Sequence, residues 1–148
     1  LAICFIGINI LYKMNKNKEI RSAGLKATHA RRAILSVLES DESMHLSADD
    51  IHRKLHKGHD EVGIATIYRV LNQFVTAGIC IRHNFETGQS LYELTPDHHH
   101  DHMVCLSSGK VIEFEDEMIE KRQKKVAAEK GYRIVDHSLV LYVEPIEK

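Results

Sequence analysis

The chain has 148 residues, of which 43% are hydrophobic and 28% are charged. These fractions are typical of a folded globular protein and exclude extended disorder, while the net charge of −1 provides no overall attraction to nucleic acid. The charges are unevenly distributed, with 12 basic and 9 acidic side chains in residues 13–92 and 8 basic and 12 acidic side chains in residues 93–148. This difference indicates two modules with different partners.

The chain opens on an almost uninterrupted apolar run, LAICFIGINILY. The run is shorter than the about 20 residues that a membrane-spanning helix needs, and it lacks the basic segment and cleavage site of a signal peptide. The segment that begins at Met14 resembles the natural N-terminus of a protein, so we predict that residues 1–13 are an upstream extension. A genuine additional helix or strand is the alternative.

The three cysteines of the chain are Cys4, Cys80 and Cys105. An odd number of cysteines at such wide spacing does not form a disulfide framework. Sparse cysteines of this kind are typical of a reduced protein in the cytosol, so we predict a cytoplasmic location.

Helical spacing of apolar residues characterises much of the stretch that follows the extension. Gly24 is expected to end a first helix, and Thr28 is a candidate N-cap for the second. Ser47 is a candidate N-cap for a third helix, with Asp50 in the position that completes a capping box. A fourth helix is predicted over residues 64–77.

After Gly78 the pattern changes to strands. ICIRHNF and SLYEL are separated by the turn ETGQ, which predicts a β-hairpin. Helices followed by a hairpin are typical of a winged helix-turn-helix. We therefore predict a DNA-binding domain over residues 14–94, a hinge around Pro96 over residues 95–101, and a second domain over residues 102–148.

The second half is predicted to be α/β, which makes the whole chain α+β. HMVCL and KVIEF have strand patterns on either side of an SSG turn. A helix with acidic residues in its first turn is predicted over residues 115–131, and Gly131 occupies its C′ position. YRIVDHSLVLYVE is predicted to be a final strand over residues 132–144.

The segment DHHHDH, residues 97–102, contains four of the eleven histidines of the chain. If it is extended, His98, His100 and His102 point to one side and His99 and Asp101 to the other. The segment can then contribute to two separate sites, each with ligands from elsewhere. Spacing alone does not select those ligands, and the candidates are His45, Glu93, Glu113, Glu120 and His137. For an isolated histidine, a structural role is the alternative.

These donors are imidazole nitrogens and carboxylate oxygens, a set that suits Fe(II), Mn(II), Co(II) or Zn(II). Zn(II) binds such ligands more tightly than Fe(II), so selectivity for iron would also need cellular availability. The sequence has no HExxH motif or comparable catalytic spacing, and we therefore predict that the protein is not an enzyme. A metallohydrolase with His and carboxylate ligands and a metal-storage module are the alternatives.

Residues 18–143 resemble the ferric uptake regulator family of bacterial metal-dependent repressors. The matching blocks occur in order and are AGLKAT, SADDIHRKL, GIATIYRVLNQFVTAGI, RHNFETGQSLYEL, HHHDHMVCL and GKVIEF. The resemblance implies a repressor of iron-uptake genes, with a C-terminal α/β dimerisation domain and Fe(II) or Mn(II) as co-repressor. It also implies Zn(II) in at least one site, and a homodimer, with a tetramer left open, on an AT-rich inverted repeat in double-stranded DNA.

The resemblance also implies how the ligands divide between two sites. The first site, at the hinge, would use His45, Glu93, His100 and His102, with Glu113 as a further ligand. The second, in the dimerisation domain, would use a different set, namely His99, Asp101, Glu120 and His137. His98 is left over and is expected to be solvated.

For DNA, the resemblance assigns base contacts to Tyr68 and Arg69 on the recognition helix, residues 64–77. Thr66 and Arg31 would contact the sugar-phosphate backbone, and Lys26 would enter the minor groove. Arginine can bond two acceptors of guanine, and an aromatic ring can contact thymine methyl groups. A solvated charge at a helix end is the alternative for Lys26 and Arg31.

The chain departs from the family pattern in its cysteines. Many relatives carry a CxxC pair after the histidines and a second pair near the C-terminus, but this chain has CLSSG, with Ser108 in the second position and no cysteine after it. We therefore predict no structural four-cysteine zinc site and a buried strand position for Cys105.

THARR also lacks a proline that is common in relatives. Glutamates at 93 and 113 favour iron-uptake control over peroxide sensing, and the missing cysteines disfavour zinc sensing.

Overall fold

The computed structural model describes residues 17–41, 45–86 and 88–146. The predicted upstream extension, residues 1–13, lies outside this range, and Cys4 lies outside it with the extension. The chain forms two compact units, the first ending at Pro96 and the second beginning at Asp97. Within the described residues, no helix is long and apolar enough to cross a membrane.

In the described part of the first unit, four helices precede the strands. These are α1, described over residues 17–22, α2 (His29–Ser40), α3 (Ala48–Lys57) and α4 (Ile64–Thr76). As predicted, the side chain of Thr28 caps α2 by accepting a hydrogen bond from the backbone nitrogen of Arg31 at 3.4 Å. This helix therefore starts at the expected point without the proline found in relatives.

The core of the first unit is formed by one apolar face from each of these helices. On α4 the buried residues follow helical spacing, which turns the opposite face of the helix towards solvent. The fully buried side chains at the centre of this core are Ile20, Ile34, Leu35, Ile51, Ile67, Leu71 and Phe74.

Ser47 and Asp50 form the predicted capping box at the start of α3. The Ser47 hydroxyl accepts from the Asp50 nitrogen at 3.1 Å, and the Asp50 carboxylate accepts from the Ser47 nitrogen at 3.0 Å. Burial alone would raise the pKa of Asp50, but hydrogen bonds from Ser47 and the charge of Arg53 hold it below its ordinary value. The Asp50 contribution to stability is therefore complete above the unfolded pKa and is lost as pH falls through the lower folded pKa.

Replacing Ser47 with alanine is expected to lower the free energy of unfolding by about 1 kcal/mol, because the first turn of α3 loses its cap. Urea unfolding followed by helical circular dichroism measures the change. Ser40→Ala is the matched control, since Ser40 lies exposed at the end of α2 and bonds only within its own last turn. Equal unfolding curves for Ser47→Ala and the wild type would contradict the importance of the cap.

A two-stranded antiparallel hairpin completes the first unit. Strand β1 (Cys80–Asn84) pairs with β2 (Ser90–Leu94), with Cys80 opposite Leu94 and Asn84 opposite Ser90. An isolated bridge between Leu46 and Tyr92 connects the segment before α3 to β2. Helices followed by this hairpin, hereafter called the wing, form a winged helix-turn-helix, which confirms the predicted fold of this half.

The second unit is a three-stranded sheet with one helix. Strand β3 (Asp101–Cys105) is central, β4 (Val111–Phe114) pairs with it antiparallel, and β5 (Val140–Val143) pairs with it in parallel. Helix α5 (Glu117–Glu129) precedes β5, and its N-cap Asp116 accepts from the nitrogens of Met118 and Ile119. The chain is therefore α+β, as predicted.

The predicted final strand over residues 132–144 was wrong in its extent. The strand covers only Val140–Val143, and residues 132–139 are irregular. Because β5 runs parallel to β3, the chain must return along the sheet after α5 before it can pair, and this stretch makes that connection. Tyr132 and Val135 are 76% and 88% exposed, so the apolar pattern here does not reflect sheet packing. His137 consequently lies in a connection and not in a strand.

Candidate metal centres and nucleic-acid interface

In the first unit, His45 and Glu93 form a buried pair. His45 immediately precedes the bridge residue Leu46, and Glu93 lies in β2 beside Tyr92. His45 Nε2 is 2.6 Å from Glu93 Oε2, and the two side chains are only 3% and 4% exposed. A buried carboxylate is costly without a partner, and His45 provides that partner. An imidazole and a carboxylate, two types of metal ligand, are therefore held together inside the winged helix-turn-helix.

His83 joins this pair, and sequence reasoning missed it. Its Nε2 lies 3.0 Å from the same Glu93 oxygen. The hairpin register pairs His83 with Leu91 and Ile81 with Glu93, which makes His83 and Glu93 diagonal neighbours on one face. The signal that could have found it is the ETGQ turn, because its length fixes the register.

In the second unit, His100, His102 and Glu113 lie on one side of the sheet. His102 is directly opposite Glu113 in the β3–β4 register. His100 Nε2 is 3.7 Å from Glu113 Oε1, and the rings of His100 and His102 are 4.9 Å apart between centroids. Strand register therefore brings His102 opposite Glu113, and His100, just before β3, approaches both of them.

A second cluster in this unit contains His99, Asp101, Glu120 and His137. His99 Nε2 is 3.2 Å from Asp101 Oδ1, and His137 Nε2 is 2.9 Å from Glu120 Oε1. Two longer approaches complete the group, at 3.7 Å between His99 and Glu120 and 3.9 Å between His137 and Asp101. The predicted alternation is thus present, because His99 and Asp101 belong to a different cluster from His100 and His102.

The four donor atoms of this second cluster all lie within 4.8 Å of one another. Four ligands placed tetrahedrally at about 2.0–2.2 Å from a Zn(II)-sized ion are separated from each other by about 3.3–3.6 Å. The four nitrogen–oxygen separations of 2.9–3.9 Å bracket this range, so the residues fit such an ion with small side-chain movements. A cavity of about 560 Å³, lined in part by His99 and His137, opens beside the cluster and gives access to it.

The solvent-facing side of α4 is the candidate nucleic-acid interface. Tyr68 is 45% exposed, Arg69 is also exposed, and Thr66 is half-buried. Asn72 lies exposed one turn after Tyr68, and sequence reasoning missed it although the spacing of four residues places it on the same face. This face therefore presents an aromatic ring, a guanidinium and an amide, which are side chains that can read base edges.

Lys26 and Arg31 differ in their surroundings. Lys26 is exposed. The Arg31 guanidinium donates from Nε and Nη2 to Gln73 Oε1 at 3.2 and 2.8 Å, and from Nη1 to the Lys26 carbonyl at 2.6 Å. Arg31 therefore connects the loop that carries Lys26 to α4, while its contact with DNA stays a prediction.

Comparison with known proteins identifies the family. The family model described as ferric uptake regulator family matches residues 22–142, a range that extends into both compact units. The chain belongs to the ferric uptake regulator family. It is accordingly a transcription regulator of that family, and the resemblance inferred from the motifs is confirmed.

Individual members of the family are similar along nearly their whole length. The ferric uptake regulation protein of Pseudomonas aeruginosa is 52% identical over 130 residues, which is 88% of this chain and 97% of that protein. The ferric uptake regulator of Vibrio cholerae superposes with a TM-score of 0.81 at 50% identity, covering 87% of this chain and 98% of that one. The Pseudomonas aeruginosa regulator solved with manganese gives 0.76 at 49% identity, covering 89% and 98%.

The two described cysteines of this family member lie in different environments. Cys105 is buried at the end of β3, as predicted, and its Sγ lies 3.2 Å from the Ser107 hydroxyl. Hydrogen bonds from Ser107 and then Ser108 lower the pKa of Cys105 to about 7. Cys80 is buried in the first unit, where burial and then Glu19 and Glu93 raise its pKa to about 12.

The third cysteine, Cys4, was predicted to belong to the upstream extension and is not among the described residues. The prediction that no four-cysteine zinc site forms therefore rests on the sequence and not on the structure. Cys4, Cys80 and Cys105 are the only cysteines of the 148-residue sequence, which is one fewer than one chain needs for such a site.

Proposed function

We propose that this protein is a cytoplasmic, metal-responsive repressor that binds DNA as a homodimer and controls iron-uptake genes with Fe(II) as its co-repressor. The observation that carries the proposal is the His45–Glu93 pair. These two ligand-type side chains are buried within the same unit that exposes Tyr68 and Arg69 on α4. A change in ion binding can therefore act directly on the DNA-binding fold.

We propose a first ion site formed by residues from both units. His45 and Glu93 would bind the same ion as His100, His102 and Glu113. The contacts within each unit support this set, since donors already lie 2.6 Å apart in the first unit and 3.7 Å apart in the second. Because each unit supplies only part of the ligand set, strong binding would favour one arrangement of the two units, and the ion would act through that difference in affinity.

A second ion site would use the cluster of His99, Asp101, Glu120 and His137. Asp101 is 2% exposed and is held by His99, so its carboxylate is already oriented within the cluster. Glu120 lies in α5, His137 lies in the connection before β5, and Asp101 begins β3. Three parts of the second unit therefore contribute donors to the same cluster. A bound divalent cation would supply positive charge between the two carboxylates and fix the four donors at coordination distances.

The donor chemistry guides the assignment of ions. Nitrogen and oxygen donors without thiolates suit Fe(II), Mn(II) and Zn(II), and Zn(II) binds the most tightly of these. We therefore propose Fe(II), or Mn(II), at the first site and Zn(II) in at least one site. Of the two sites, the second cluster fits a tetrahedral ion better, because it offers four donors. The glutamates at 93 and 113 favour iron-uptake control over peroxide sensing.

Exposed apolar side chains in the second unit support dimerisation through that unit. Among the described residues, the connected hydrophobic core is formed by residues of the first unit. The second unit buries only two hydrophobic residues in this part of the chain, Val104 and Cys105. A second copy of the chain would cover apolar surface that otherwise contacts water. Those exposed side chains are Leu106, Ile112, Met118, Val126, Tyr132, Val135, Tyr142 and Ile146. A tetramer is the alternative assembly.

Two-fold symmetry would place two α4 helices against two half-sites, so the target would be an inverted repeat. The test is selection from a pool of random DNA duplexes by the full-length protein, without oxygen, in the presence of Mn(II) or Fe(II). We expect enrichment of an AT-rich inverted repeat, and loss of binding to that duplex when a chelator removes the ion. Enrichment that persists equally with chelator would refute the metal response, and no enrichment would refute the repressor function.

A further inference from the structure

His83 holds a fixed position between two other aromatic rings. Its ring stacks on Phe85 with centroids 5.2 Å apart and planes 4° apart, and it lies 5.6 Å from the ring of His45. The side chain is 17% exposed. Phe85 is itself buried and follows β1 at the start of the turn of the wing. The plane of the His83 imidazole is therefore set by its packing against the Phe85 ring.

The fixed ring directs Nε2 of His83 at one atom, Glu93 Oε2, at 3.0 Å. His45 Nε2 approaches the same oxygen from 2.6 Å. A histidine that ligates an ion through Nε2 must present that nitrogen unprotonated, so it can no longer donate a hydrogen bond from it. When His45 acts as a ligand, His83 is the member of this trio that can still donate to Glu93.

We propose that His83 is a positioning residue for the ligand Glu93, and that Phe85, at the start of the turn of the wing, fixes the His83 ring for this role. The inference rests on the proposed function, which makes His45 and Glu93 ligands. Groups that hydrogen-bond to metal ligands orient them, and their loss reduces metal affinity by about 10–100-fold. His83 would thus set the affinity of the first site without contributing a ligand to it.

The test compares substitutions that separate the hydrogen bond from the bulk of the ring. His83→Leu removes the donor and keeps an apolar side chain beside Phe85, whereas His83→Gln keeps an amide donor near the position of Nε2. Both are made in full-length protein that also carries His137→Ala, which weakens the second cluster. Co(II) is the probe, because its visible absorption reports ligand number, and a chromophoric chelator competes for it to give the affinity.

We expect His83→Leu to weaken Co(II) binding by about 10–100-fold with an unchanged absorption intensity, and His83→Gln to retain most of the affinity. Phe85→Leu leaves the donor but removes the stack, and it should weaken binding by a smaller factor. Thermal melting would reveal whether His83→Leu folds. If it does not fold, the Co(II) affinity of Phe85→Leu is compared with that of the parent instead.

Three results would overturn the inference. Affinity of His83→Leu within about threefold of its parent would exclude positioning, because the loss expected for an orienting hydrogen bond is larger. Equal losses for His83→Leu and His83→Gln would also exclude it. A change in Co(II) absorption typical of a lost ligand would make His83 a ligand instead. His45→Ala separates these results from failure of the proposed function. Unchanged Co(II) binding in that variant would show that the proposed first site does not bind the ion at all.

Discussion

Replacement of His100 and His102 with alanine is expected to abolish ion-dependent operator binding. The double variant removes both imidazoles that the second unit is proposed to supply to the first site, and it leaves Glu113 as the only proposed donor from that unit. We expect the affinity for the selected duplex in Mn(II) to fall by at least about 100-fold, since losing even a hydrogen-bond partner of a ligand costs up to that factor. An anaerobic gel shift with a titration of protein measures it.

The matched control replaces two histidines that are proposed for neither site. His56 lies exposed on α3 and His98 lies exposed before β3, so His56→Ala with His98→Ala removes the same number of imidazoles. This control should bind the duplex as the wild type does. If the His100 and His102 double variant also binds normally in Mn(II), the first ion site cannot control DNA binding.

Replacement of Arg69 with alanine is expected to weaken operator binding by about 1–3 kcal/mol, which is roughly 5–150-fold, and to relax the sequence preference at one position of each half-site. The reason is that Arg69 lies exposed on α4, where its guanidinium can bond two acceptors of one guanine. Fluorescence anisotropy with a set of singly substituted duplexes measures both the affinity and the preference.

Lys26→Ala provides the contrast, because a lysine in the minor groove interacts mainly with the negative potential of the groove and does not read one particular base. This variant should weaken binding to all duplexes by a similar factor and reduce the slope of log affinity against log salt by about 1 for each chain bound. If Arg69→Ala behaves in the same way, with its preference intact, Arg69 does not read bases.

The local features of the fold were largely predictable from sequence. The Ser47–Asp50 capping box and the Thr28 cap are formed by side chains and amides within three residues of each other, so the sequence contains all their determinants. The extent of the last strand was not predictable in this way. Its pairing with β3 is parallel and depends on where α5 ends, so the apolar pattern from residue 132 onward was insufficient.

The part of each candidate site that comes from residues 98–102 could be predicted from the sequence of that one segment. Alternation along residues 98–102 separates His99 and Asp101 from His100 and His102, although regular strand structure begins only at Asp101. The residues that join them from elsewhere came from the family resemblance. His83 was missed because its approach to Glu93 depends on hairpin register, and the Arg31–Gln73 contact was missed because 42 residues separate its partners.

The parallel pairing of β5 has a consequence for the order in which the molecule is completed. His137 stands just before β5, whereas His99 and Asp101 stand at the start of β3, and the whole of β4 and α5 lies between them. A chain that is still being synthesised and has already released α5 contains three donors of the second cluster, but it gains the fourth only after the connection before β5 has been made. Closing so long a loop is slow and carries an entropic cost. Four-donor binding would therefore select chains in which β5 has been made and docked, and it would stabilise β5 by mass action.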